Sequence, residues 1–146
     1  MSDAAQTYAT HRRFVPAFHY VLFPLLLLTL IGSGVNLYES MGDHQRLYSA
    51  SLLVVLSLAT IMCALFARVF ALKAQDRAIR AEEQIRHFVM TGKPLDARLT
   101  PRQIVGLRFA SDAEFVALAA RAVEQNLSED AIKREVKQWR PDTYRV

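Results

Sequence analysis

SLATIMCALFARVFALKAQDRAIRAEEQIRHF, residues 57–88, decides the fold. Small and apolar residues recur in it at alternating steps of three and four: Ser57, Thr60, Ala64, Ala67, Ala71, Ala74, Ala78, Ala81, Ile85 and Phe88. Six of the seven alanines in the stretch fall on this seam, and only Ala59 does not. A seam takes two positions in every seven, so chance would place about two alanines there. The first half of the stretch is apolar and the second half is charged. One continuous helix fits both halves, leaving a bilayer and carrying a close-packing face into water. Ala67, Ala71, Ala74 and Ala78 are therefore expected to face another helix, and the seam needs a partner.

Working outward, 52% of the 146 residues are hydrophobic, concentrated in residues 15–38 and 47–72. The first block has no Asp, Glu, Lys or Arg, and the second only Arg68. Crossing a hydrocarbon core takes about 20 apolar residues, and each block supplies them. The expected fold class is all-α: a two-span transmembrane hairpin whose long second helix extends into the cytoplasm, followed by a small helical tail. His11-Arg12-Arg13 ahead of the first block, with Gly32-Ser33-Gly34 near its end, could imitate a secretory signal. The charge-free stretch is long for that, and we read it as a retained helix.

Basic flanks set the orientation. Arg12 and Arg13 precede the first span, while Arg68, Lys73, Arg77 and Arg80 close the second. The connecting residues 39–46 hold one Arg against Glu39 and Asp43. The positive-inside rule then puts both termini of this multi-pass chain in the cytoplasm, with a short hairpin loop outside. The segments are residues 1–13, a loose cytoplasmic tail; 14–38, the first span; 39–46, an external loop; and 47–72, the second span. Residues 73–92 extend the second helix into the cytoplasm, and residues 93–146 form a three-helix tail.

Pro16 suits a first helical turn, Pro24 should kink the first helix, and Gly32 and Gly34 thin its outer end. The second helix should begin near Leu47 or Tyr48 and end at Thr91-Gly92-Lys93-Pro94. Beyond Leu72, Asp76 with Arg80, Glu82 with Arg86 and Glu83 with His87 have helical pair spacing, each pair adding a few tenths of a kcal/mol. We read them as an exposed face opposite the seam. In the tail, Thr100-Pro101-Arg102-Gln103 and Ser111-Asp112-Ala113-Glu114 are capping boxes. Ser128 caps a third helix, with Ile132, Val136 and Trp139 on one face. Some 50 residues make a marginal independent core, so the tail should fold on the long helix or on another protein.

The net charge of +4 does not argue for nucleic acid. After Leu72 fourteen Lys or Arg interleave with eleven Asp or Glu, which describes a solvated helical surface beside anionic lipid. Arg12, Arg13, Arg68, Lys73 and Arg77 read as anchors that snorkel to the interface. His19 is the one histidine at membrane depth and is the candidate for a haem or chlorophyll-type pigment ligand. No cofactor is otherwise expected. The last two helices, with Lys133, Arg134 and Lys137, resemble a helix-turn-helix, but Glu129, Asp130 and Glu135 beside them would repel phosphates. Trp139, Pro141 and Tyr144 read as caps of a core. The single cysteine, Cys63, excludes a disulfide framework within one chain. No HExxH, phosphate-binding glycine loop or GxSxG occurs, so no enzyme is expected.

Four stretches together resemble an uncharacterised bacterial family of two-span membrane proteins, a domain of unknown function. They are His11-Arg12-Arg13-Phe14-Val15-Pro16 with Phe18-His19; Phe66-Ala67-Arg68 through Phe70-Ala71-Leu72 to Gln75-Asp76-Arg77; Leu107-Arg108-Phe109-Ala110-Ser111-Asp112 with Glu114; and Ile132-Lys133, Val136-Lys137, Trp139, Pro141-Asp142 and Arg145. The resemblance implies a protein of the bacterial cytoplasmic (inner) membrane with a helical tail, and brings no activity, cofactor or catalytic residue. The function expected is an accessory or scaffolding subunit that packs on a membrane-complex partner or on itself. The alternatives are a cofactor-binding subunit using His19, and a membrane-tethered signalling or DNA-binding adaptor using the tail.

Overall fold

The computed structural model describes residues 6–11 and 14–142, and every regular element among them is a helix. A π-helical turn, Ala17–Leu22, leads into α1, Phe23–Glu39. The other helices are α2, His44–Thr91; α3, Pro101–Leu107; α4, Asp112–Glu124; and α5, Glu129–Glu135. The chain forms two compact units, Phe14–Ala71 and a second made of the N-terminal residues with everything from Leu72 onward.

In the Phe14–Ala71 unit, Pro24 has no N–H to return to the preceding turn, and the six residues before Phe23 take the wider π winding. Beyond α1, Gly42 adopts φ 104°, a left-handed conformation that a side chain would oppose. Asp43 Oδ1 accepts the N–H groups of Gln45 (3.1 Å) and Arg46 (3.3 Å). This carboxylate satisfies helix-start donors that hydropathy does not register. It therefore starts α2 at His44, three residues ahead of Leu47.

The buried positions of this unit are small: Ser33, Ser40, Ala50 and Ser57. Small residues are what two helices need where their backbones come close. Large aliphatic side chains point outward; Leu28 is 67% exposed and Val55 62%. Both apolar helices are long enough to cross a membrane, and only 11% of the most apolar window of each is buried. A core helix of a water-soluble protein shows the opposite burial.

α2 is a helix of 48 residues. It stops where Gly92 takes φ 68° and Pro94 follows. The tail's core is Leu95, Leu99, Ile104, Leu107, Phe109, Phe115, Leu118, Ala122 and Ile132. Its helix starts are those read from the sequence. Thr100 and Gln103 form a capping box, Glu114 Oε1 accepts the Ser111 N–H at 3.4 Å, and Ser128 Oγ accepts Ala131 N–H at 3.1 Å. Buried Gln103 also donates Nε2 to Leu127 O (2.9 Å) and Ala122 O (3.3 Å), tying α3 to the end of α4. α3 and α5 cross at Gly106, where a Cβ would stand 3.1 Å from Glu129 O.

The last helix differs from its sequence pattern. It ends at Glu135, Val136 is extended, and Trp139 lies in a β-bridge with Ala110. The backbone N–H groups that would continue α5 find other acceptors. Glu114 takes those of Lys137 (3.2 Å) and Gln138 (3.0 Å), and Phe109 O takes that of Arg140 (2.8 Å). Trp139 packs on Phe109 with ring centroids 4.9 Å apart. Pro141 is exposed, and Tyr144 lies outside the described residues.

Of the N-terminal segment, expected to be loose, the described residues 6–11 are seated on the tail. Gln6 exchanges two hydrogen bonds with the backbone of Asp142 (3.2 and 2.8 Å). Tyr8 Oη donates to Asp130 Oδ1 (2.5 Å), and the Arg134 guanidinium lies 5.0 Å from the Tyr8 ring. His11 meets Phe109 edge-on at 5.9 Å. Short polar segments carry no periodicity, so this docking left no helical or strand pattern to read.

Candidate interaction surface on α2

A helix advances about 100° per residue, so positions on α2 can be compared by angle around its axis. Beyond Leu72 the shielded side contains Ile79 and Glu83, both buried, with Arg86 and His87 half-buried beside them. The tail makes that contact. Arg86 donates Nη2 to Ala110 O (2.8 Å) and to Asp112 Oδ1 (2.6 Å), and Nη1 to Glu83 Oε2 (2.9 Å). Its guanidinium carbon sits 4.4 Å from the Phe115 ring centre. Arg140 approaches the other Glu83 oxygen at 3.6 Å.

Of the face expected to be exposed opposite the seam, Asp76 and Glu82 are exposed, whereas Glu83, Arg86 and His87 are covered by the tail. Glu83 pairs with Arg86 one turn on, whereas the sequence spacing had pointed to His87 and had matched Arg86 with Glu82. His87 instead has its Nδ1 2.9 Å from Lys93 O, where the chain turns away from α2. Sequence reasoning missed this polar cluster. The signal available was Gln75, Ile79, Glu83 and His87 at steps of four, a stripe of its own on the far side of the alanines.

The seam itself is open here. Ala74, Ala78, Ala81, Ile85 and Phe88 lie about 140–180° around the helix from Glu83, and all five are exposed. Ile85 is 64% and Phe88 57% exposed, with Val89 alongside at 77%. From Ala74 onward the tail therefore does not serve as the seam's partner. Earlier on α2 the seam is divided. Ser57 is buried and Ala64 and Ala71 are half-buried, while Thr60 and Ala67 are exposed.

The other candidates have local settings. The Arg68 guanidinium lies 5.7 Å from the Phe18 ring centre, and Lys73 and Arg77 are exposed; Arg12 and Arg13 lie outside the described residues. His19 is half-buried, with Nδ1 2.9 Å from Val15 O and its ring edge-on to Phe14 (5.3 Å) and Phe18 (5.2 Å). On α5, Lys133 is paired with Glu129 and Arg134 with Asp130. The Tyr8 hydroxyl, and after it the positive charges of Arg134 and Lys133, hold the Asp130 carboxyl below its usual range. Arg98 does the same to Asp96, lowering it to about 2. Among the described residues no group of three His, Cys, Asp or Glu is placed to hold a metal ion.

No curated protein and no solved structure matches the chain. The model of the family of unknown function DUF6526 matches residues 1–146, and the chain belongs to that family.

Proposed function

We propose that this protein is a non-catalytic scaffolding subunit of a bacterial inner-membrane complex, anchored by α1 and α2 as a two-span hairpin with both termini in the cytoplasm. The observation that carries the reading is the open apolar face of α2 beyond Leu72, from Ala74 to Phe88, on the side away from the tail. Water does not favour such a face, and small residues at its centre allow a neighbouring helix to approach closely. The exposed aliphatic surface of α1 and the first half of α2 supports lipid contact. The basic residues beside both spans support the orientation.

Replacing Ala74 and Ala81 by Leu tests it. Both positions are exposed, so the chain's own packing is not disturbed. After mild-detergent extraction, the double variant should run as a smaller species and lose whatever co-purifies with the parent. Unchanged assembly size and unchanged co-purification would remove the scaffolding reading.

A further inference from the structure

We propose that the occupant of this face is α2 of a second copy, parallel and in register, so that the protein is a homodimer joined along a short coiled coil outside the bilayer. The inference rests on the scaffolding reading and commits it to one partner. The steps of three and four assign Ala71, Ala78 and Ile85 to heptad position a, and Ala74, Ala81 and Phe88 to position d. Both copies cross the same membrane in the same sense, so a helix pairing with its own counterpart outside the bilayer pairs in parallel. In a parallel pair, the residue at each g position faces the e position five residues later in the other chain.

That register brings Arg77 opposite Glu82 of the second copy, and by symmetry the pair occurs twice. Both residues are exposed, and among the described residues neither is ion-paired within the chain. The same rule sets Val89 of the second copy beside Gln84, at an open groove lined by Gln84, Ile85, Phe88, Pro94 and Leu95. Val89 is the most exposed large apolar side chain of this half of α2. The tail hydrogen-bonds and ion-pairs with Arg86 and Glu83 and meets the His87 ring, at heptad positions b, f and c, which face away from a partner helix.

The test uses full-length protein in native membranes. A photoreactive benzophenone amino acid replaces exposed Gln84 beside the face or, as control, exposed Asp76 on the far side. Position 84 should yield an adduct of twice the monomer mass, and position 76 none. On that background Arg77→Glu or Glu82→Arg alone should reduce the dimeric adduct several-fold, and the double exchange should restore it. An adduct at position 84 with a different protein and no dimer would overturn the second copy while leaving the scaffolding reading in place. No adduct at all would overturn both. A dimer indifferent to either charge reversal would overturn the parallel register.

Discussion

Arg86→Met should loosen the tail from α2, and the geometry sets the size of the effect. Arg86 and Glu83 have side chains only 11% and 4% exposed. Removing one member of a buried pair leaves the other charge unpaired, at a cost of about 3–5 kcal/mol. Arg140, still 3.6 Å from Glu83, offsets part of that. The Asp112 side chain is 76% exposed, so losing that bond adds at most about 1 kcal/mol. Methionine can still cover the Phe115 ring. The expected loss is about 3 kcal/mol, a large part of the roughly 5–15 kcal/mol that holds an ordinary domain together.

Trp139 is the only tryptophan and packs against Phe109 within the tail, so its fluorescence reports this unit. With a urea slope of about 1 kcal/mol/M, the midpoint of full-length protein in detergent should fall by about 3 M. Glu83→Met combined with Arg86→Met should recover much of it, because both buried charges then leave together. A midpoint shift below about 0.5 M for Arg86→Met, against the slope expected for a small unit, would refute the reasoning. So would a double variant as unstable as the sum of the single changes.

Gly106→Ala should destabilise the tail by about 1 kcal/mol, since an overpacking cost of about 1–3 kcal/mol exceeds the helix-propensity gain of about 1 kcal/mol. The Cβ would meet a backbone oxygen and Ile132 Cγ2 at 3.3 Å, neither of which yields easily; the same urea titration measures it. Acid should release the N-terminal segment. Asp130 has a lowered pKa in the folded protein, so its contribution is full above the unfolded carboxylate value of about 3.9. It is lost as pH falls through the lower folded value. Hydrogen exchange of residues 6–11 should rise in that window, and in Tyr8→Phe it should already be raised at neutral pH. An unchanged exchange rate in Tyr8→Phe would show that Gln6 and His11 hold the segment without the Tyr8 hydroxyl.

The all-α class, the two long apolar helices and the tail's helix starts were legible because each is a local property. Thr100 with Gln103 and Ser111 with Glu114 cap through residues three apart, and an apolar run states its own length. The α2 start was misplaced because Asp43, a polar cap, lies outside the apolar run. The end of α5 was misplaced because the acceptors that stop it, Glu114 and Phe109 O, are more than twenty residues away.

From the sequence alone, periodicity showed that α2 carries a close-packing seam, since a 3.5-residue repeat is visible without knowing what fills it. It did not decide which side of α2 the tail would cover. Ala74, Ala78 and Ala81 and the stripe of Ile79, Glu83 and His87 both have helical spacing, and the charged stripe looked solvated. Tertiary structure chose the charged side, because Arg86 can join Glu83, Asp112 and the Ala110 carbonyl at once, whereas alanines have no polar group to offer that end of α4. The same assembly seated Gln6, Tyr8 and His11 on the tail through contacts spanning most of the chain, which no local pattern encodes.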